Sequence, residues 1–408
     1  MDNRELSTVA RELSLEGFGK AGGKSYARHL ALARLRELGT EVWLDTGDVE
    51  AAGALWRREV SACTTNNTLV NQVIQSGRLD ADIKRIAGVL NAKFQGMRVE
   101  NLVGEVGFIL NCRVALGLVG EFACKVSVEV HPDVAGDVEG TVYWARRYHE
   151  VNPESFYVKV PLTPAGYVAA RRLSDAGVPV NFTIAFSARQ NYLAAMLSRP
   201  AFSNVFLGRN NQVVKENALG SGAYVGEKAT LAAQQAVREV REAQPACRTR
   251  LIAASMRSGQ QVYDLAGVDV MTVPPRAMEE FFRTSPLPSY MHNRLDSEYE
   301  MGVERDMERL DVLWEITDDF KRYAHALAAL EPGRLGPDAL VERAAAAGLG
   351  FLRRFGAEEI ARIAARGKIP NLSDWPPEVA LDDLMTESAL QSFAADQSAL
   401  DSRIRSLL

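Results

Sequence analysis

Cysteine and histidine are scarce in this chain, four and five among 408 residues. The cysteines (Cys63, Cys112, Cys124 and Cys247) stand far apart and mostly inside apolar runs. That spacing excludes a disulfide framework and a zinc site, and fits reduced thiols in a cytoplasmic protein. No two histidines form a metal-ligand pair at helical spacing, so neither a metal nor another cofactor is expected. Apolar runs long enough to span a bilayer are missing, as is the apolar region of a secretion signal, so no membrane partner is expected. A surplus of positive charge is missing as well. The net charge of -5 argues against an electrostatically held nucleic acid. Internal repeats and low-complexity tracts are not evident.

What is present is an ordinary globular balance, 47% hydrophobic and 24% charged. The length fits one large α/β barrel with additions, or two domains. Short β-prone segments recur at Glu41–Asp48, Val60–Asn67, Cys124–Val130, Ser155–Pro161, Val178–Ala185, Asn204–Arg209, Arg248–Ser255 and Val268–Val273. Helical segments follow most of them, and Thr163-Pro164 is a helix start by its cap and first-turn residues. Such alternation predicts a (β/α)8 barrel, in the α/β class. An open dinucleotide-binding sheet would carry a Gly-rich turn after its first strand, where this chain has Asp45-Thr46-Gly47-Asp48. Residues 1–39 read as helical, broken at Gly19, Gly22 and Gly23. We read 1–408 as one domain, with a barrel core over about 40–284, a helical addition over about 285–380, and an amphipathic helix over 384–408 packing on the barrel.

In Ser155–Pro161, Val158 and Val160 share one strand face and Lys159 takes the other. Two readings are open. An edge-strand lysine discourages aggregation. A lysine taken out of water loses its proton more readily and becomes a nucleophile toward carbonyls. Other polar residues gather where a parallel barrel collects chemistry, at the C-terminal ends of strands. Strand 1 ends with Asp45, strand 2 with Thr64 and Asn66, and strand 3 with Glu129; strand 5 carries Asn181 and Thr183, and strand 7 ends with Ser255 and Arg257. An amine, two carboxylates and two amides fit carbonyl chemistry on a polyol. The alternative for Glu129 is a structural ion pair with Lys159 or Lys125. Arg209 and Arg257 could form a phosphate clamp or stand exposed on loops. Gly220–Lys228 lacks Walker spacing and reads as a flexible loop.

Taken in order, these segments resemble the transaldolases, Schiff-base (β/α)8 enzymes of sugar-phosphate metabolism. The resemblance is carried by Leu44-Asp45-Thr46-Gly47-Asp48, Thr64-Thr65-Asn66, Val126-Ser127-Val128-Glu129-Val130, Val158-Lys159-Val160-Pro161, Val180-Asn181-Phe182-Thr183 through Phe186-Ser187, Leu207-Gly208-Arg209, Ala253-Ala254-Ser255-Met256-Arg257 and Phe393-Ala394-Ala395-Asp396-Gln397. It implies transfer of a dihydroxyacetone unit, in the pentose phosphate pathway, from a ketose phosphate (sedoheptulose 7-phosphate or fructose 6-phosphate) to an aldose phosphate (glyceraldehyde 3-phosphate or erythrose 4-phosphate).

Under that resemblance Lys159 forms the imine and Asp45 is the acid/base for carbon–carbon cleavage. Glu129, helped by Thr183, holds a water. Asn66 and Asn181 bind hydroxyls with Thr64 nearby, Ser203 contacts the terminal hydroxyl, and Arg209, Ser255 and Arg257 bind phosphate. Phe206 stands where related fructose-6-phosphate aldolases carry a water-activating tyrosine, which favours transfer over hydrolysis. An aldolase releasing dihydroxyacetone and a non-catalytic sugar-phosphate-binding barrel are the alternatives, and a homodimer is left open. The chain departs from the family pattern in three places. Asn67 replaces the usual proline, Ser203–Arg209 reads one residue long, and the 285–380 addition has no counterpart.

Overall fold

The computed structural model describes residues 3–19 and 24–408; the expected breaks at Gly22 and Gly23 lie outside them. Two helices, α1 (Asn3–Leu15) and α2 (Leu30–Glu37), precede β1 (Glu41–Asp45), which is followed by α3 (Val49–Leu55). After β2 (Val60–Thr64) come α4 (Asn67–Gln75), α5 (Asp80–Lys93) and α6 (Val99–Phe122). Next are β3 (Lys125–Glu129) with α7 (Val138–Val151), β4 (Phe156–Pro161) with α8 (Pro164–Asp175), and β5 (Val180–Thr183) with α9 (Ala188–Leu193). Then follow β6 (Phe202–Phe206) with α10 (Leu207–Glu216) and α11 (Val225–Ala243), β7 (Arg250–Ala254) with α12 (Gly259–Asp264), and β8 (Val270–Val273) with α13 (Pro275–Thr284). The strands run parallel in sequence order and β8 pairs back onto β1, so the expected eight-stranded barrel is present and closed.

Strand alternation fills the barrel in layers. At the N-terminal end the Glu41 carboxylate accepts from Ser61, Trp43 and Arg250. Two residues further along each strand, Trp43, Tyr157 and Phe202 pack together. Their ring centroids are 4.8 to 5.7 Å apart. Such pairs add about 0.5–1.5 kcal/mol each beyond area burial. Another step of two places Asp45, Lys159 and Asn204 above this aromatic floor.

Three sequence expectations need correcting. Asn204–Arg209 is not a strand: β6 ends at Phe206, and Leu207-Gly208-Arg209 form the first turn of α10. The Gly220–Lys228 segment is not a free loop. Gly222 N–H donates to Gly302 O at 2.9 Å, Gly302 N–H returns a bond to Ala223 O at 2.9 Å, and α11 starts at Val225. Finally, α6 is long and apolar enough to cross a membrane, although 78% of its apolar window is buried inside the protein, as in a core helix.

Beyond the barrel are α14 (Met307–Leu310), α15 (Asp318–Ala328), α16 (Pro337–Ala346), α17 (Ala357–Arg366) and α18 (Leu381–Arg405). Of these, α15 packs on α9, α16 on α8 and α17 on α18, while α18 lies along α4 and α6. One buried cluster joins barrel residues to Phe320, Phe351 and Leu384 of this outer part. Its polar anchor is Asp382, which accepts from Arg189 Nε and Nη2 at 2.8 and 2.7 Å and from Ser187 Oγ at 2.7 Å. Removing one partner of a buried pair leaves an uncompensated charge, at a cost of about 3–5 kcal/mol. Asp382→Ala should therefore lower the unfolding free energy from urea titration by an amount in that range, whereas the exposed Glu304→Ala should leave it unmoved.

Candidate active site

The reactive layer sits at the C-terminal mouth of the barrel, around a cavity of about 150 Å³. Asp45, Thr64, Asn66, Lys159, Asn181, Phe206, Arg209, Ser255 and Arg257 all line it. Asn204, Thr272, Lys368 and Phe393 line it too. A larger hollow of about 610 Å³ lies outside the barrel between α1, α3 and α6. Its arginines are paired with acids: Arg78 with Asp48, and Arg113 with Glu16 and Asp82. Chemistry needs groups left unpaired, and those are at the barrel mouth.

Lys159 comes from the middle of β4 and is 4% exposed. Its register partners are Glu129 on β3 and Asn181 on β5. The amine stands 3.7 Å from Glu129 Oε2 and donates to Thr65 O at 3.4 Å. The carboxylate contact is too long for a hydrogen bond, and Oε2 has no hydrogen-bond partner. Burial pushes the Glu129 carboxyl up, against the pull of the Lys159 charge and of the Asn67 N–H. The Thr183 hydroxyl and Asn181 Oδ1 are also buried and unpartnered, while Asn181 Nδ2 donates to Ser127 Oγ at 3.0 Å. Native interiors leave few such atoms orphaned, so their concentration here marks a place built to receive a ligand or water.

Asp45 closes β1 at the opposite side of the mouth. Its Oδ1 accepts from Thr64 Oγ1 at 2.6 Å, and Thr64 also meets Thr272 Oγ1 at 2.6 Å. Burial raises the Asp45 carboxyl above its ordinary range, opposed by Lys159, the Thr64 hydroxyl and Arg257. Asn66 is the N-cap of α4, and its Oδ1 accepts from Leu69 N–H at 2.9 Å. Its amide nitrogen is left for a ligand.

The anion-friendly wall is made by α10 and the turn after β7. Arg209 is 5% exposed, its Nη1 has no partner, and its guanidinium lies 5.7 Å from the rings of both Phe206 and Phe393. Burial and the neighbouring Arg257 lower it to about 10. No side chain caps the N-terminus of α10, and free first-turn N–H groups favour anions. Gly208 permits the close fit: a Cβ there would stand 2.1 Å from Ser255 O, where Ser255 itself holds φ 63.

The structure does not bring Ser203 into this site. Its hydroxyl points out of the barrel and donates to Asn191 Oδ1 at 2.6 Å. Phe202, Asn204 and Phe206 share the inner face instead, and Asn204 Oδ1 is buried without a partner. Alternation from Phe206 carried that signal in the sequence. Glu129, beside Lys159, and Thr183, two residues beyond Asn181 on β5, are buried without lining the cavity itself.

A family profile described as "Transaldolase/Fructose-6-phosphate aldolase" matches residues 42–330. The chain belongs to the transaldolase/fructose-6-phosphate aldolase family. A transaldolase of Xanthomonas euvesicatoria pv. vesicatoria is 28% identical over 255 residues, covering 61% of this chain and 77% of that relative. A transaldolase of Agrobacterium fabrum is 28% identical over 260 residues with the same coverage. A probable transaldolase of Nitrosopumilus maritimus is 30% identical over 160 residues, covering 39% of this chain and 64% of its own length. The family match takes in α14 and α15, which the sequence reading had set outside the family pattern. It ends before α16, α17 and α18.

The raised Asp45 carboxyl has a consequence for stability. Between 3.8 and its folded value the native state binds more proton than the unfolded chain. Wild-type stability therefore falls as pH rises through that window. Asp45→Asn, which keeps a partner for Thr64, should melt above wild type at neutral pH. The difference should shrink as pH approaches 3.8.

Proposed function

We propose that this protein is a transaldolase, moving a dihydroxyacetone unit from a ketose phosphate to an aldose phosphate through an imine on Lys159. The observation that carries the proposal is the buried Lys159 amine, 3.7 Å from Glu129, in one cavity with Asp45 and two arginines. In its unprotonated form the amine attacks the ketone carbon of the donor. Glu129 and Thr183 hold the water that leaves during imine formation and returns during hydrolysis. Asp45 takes the proton from the hydroxyl beside the bond that breaks, releasing an aldose. The dihydroxyacetone unit stays on Lys159 until an acceptor aldehyde adds, and Asp45 returns the proton. A carboxyl whose burial favours its protonated form suits both halves of that cycle.

Asn66, Asn181 and Asn204 are placed for the polyol hydroxyls. Arg209, Arg257, Ser255 and the first turn of α10 are placed for the phosphate. Phe206 has no hydroxyl with which to activate water, which favours transfer to an acceptor over release of free dihydroxyacetone. The proposed substrates are the pentose phosphate pathway sugars, sedoheptulose 7-phosphate and fructose 6-phosphate as donors with glyceraldehyde 3-phosphate and erythrose 4-phosphate as acceptors.

Incubation with fructose 6-phosphate and borohydride should leave a reduced adduct on Lys159, located by peptide mass mapping. An unmodified Lys159 would sink the mechanism. Asp45→Asn should still trap donor while kcat falls by about 10²–10⁴-fold, the range for losing a general acid–base. Turnover should require erythrose 4-phosphate; equal rates without it would identify an aldolase.

A further inference from the structure

We infer that Lys368, carried by the helical segment outside the barrel, is a third cation for the anionic group held by Arg209 and Arg257. This rests on the sugar-phosphate reading of the cavity. Lys368 belongs to none of the barrel units and lies beyond the residues the family match covers. It nevertheless lines the same cavity as Lys159, Arg209 and Arg257. A cavity of about 150 Å³ holds one small ligand, so the groups around it face a single molecule.

The segment that presents Lys368 is fixed. Gly367 ends α17 with φ 80, and Ile369 and Pro370 are buried just behind the lysine. Asn217, which closes α10, donates to Pro370 O at 3.0 Å and accepts from Leu372 N–H at 2.7 Å. Arg309 donates to Leu372 O at 3.1 Å. One helix thus sets both cations: its first turn carries Arg209, and its far end clamps the strap that carries Lys368.

Charge balance says what the lysine is for. Among the described residues none of Arg209, Arg257 and Lys368 stands in an ion pair, and Arg209 Nη1 is buried without a partner. The carboxylates whose charge reaches them are Asp45 at Arg257 and Asp396 and Glu129 at Arg209; Asp45 Oδ1 already accepts from Thr64 Oγ1 and Asp396 Oδ2 from Thr68 Oγ1. Three cations around one cavity, none of them closed into an ion pair, favour an anion, and a phosphate dianion supplies it. Lys368 is exposed at the rim, so its part is capture and retention of the charged end, screened by salt.

The test uses the full chain, with inorganic phosphate as the probe in calorimetric titration at low and high salt. Lys368→Ala should weaken phosphate binding about three- to tenfold at low salt, as expected for losing one rim charge contact. Lys368→Glu should weaken it further, and Lys368→Arg should restore it. In turnover the loss should fall on KM for the phosphorylated donor rather than on kcat. Unchanged phosphate affinity and KM in Lys368→Ala, with Lys159 still trapped by borohydride, would overturn the role of Lys368 alone. A chain that traps nothing on Lys159, yet loses phosphate affinity in Lys368→Ala, would overturn the Schiff-base reading and leave the lysine's role standing.

Discussion

The barrel's pleat is the constraint on which the site depends. Each strand offers alternate residues to the interior, so whatever fills the floor decides what stands above it. Trp43, Tyr157 and Phe202 fill the floor of this barrel, Trp43 stacked on Tyr157 and Phe202 edge-on to both. Asp45, Lys159 and Asn204 are then held two residues higher, at the mouth. A carboxylate and an amine so placed lose most of their water. They are kept from collapsing into tight pairs by the rigidity of the strands beneath. The 3.7 Å separation of Lys159 and Glu129 expresses that balance: near enough for the charges to sense each other, too far for a hydrogen bond that would occupy the amine.

The second wall answers to a different requirement. Phosphate recognition needs donors that remain unsatisfied in the protein alone. The chain achieves this by butting the start of α10 against the turn after β7, with glycine at position 208 because no Cβ fits against Ser255 O. Arg209 is then flanked by Phe206 and Phe393. The rings shield it from water while offering only their faces in return. A buried guanidinium beside another arginine is costly unless an anion arrives. The stability surrendered at this wall is recovered when an anion binds.

Much of this was legible in the sequence because it follows from alternation. Lys159 opposite Val158 and Val160, and Glu129 opposite Val128 and Val130, could be assigned to the inner face from spacing alone. The same rule would have chosen Asn204 over Ser203, since Phe206 fixes the parity of β6. Ser203 came instead from the family resemblance, and the strand reading separately ran through Leu207–Arg209, which form a helical turn. Residues brought to the cavity by tertiary packing left no comparable signal. Lys368 follows a short helix and precedes a proline, and nothing local says that Asn217 will hold its neighbours against α10. The Gly220–Lys228 segment misled for the same reason: the residue it bonds to, Gly302, lies far along the chain.

Phe393 belongs to α18, a helix far in sequence from the strands whose mouth it helps to line. The pocket is therefore not a local property of the barrel. It is complete only once the ends of a long loop of chain have met, a closure that is entropically slow. Any molecule that fills the pocket touches both ends of that loop, and its binding energy is felt by the whole assembly. Occupancy and global order are coupled through Phe393 and Lys368, so ligand binding in this chain reports on the integrity of the entire fold.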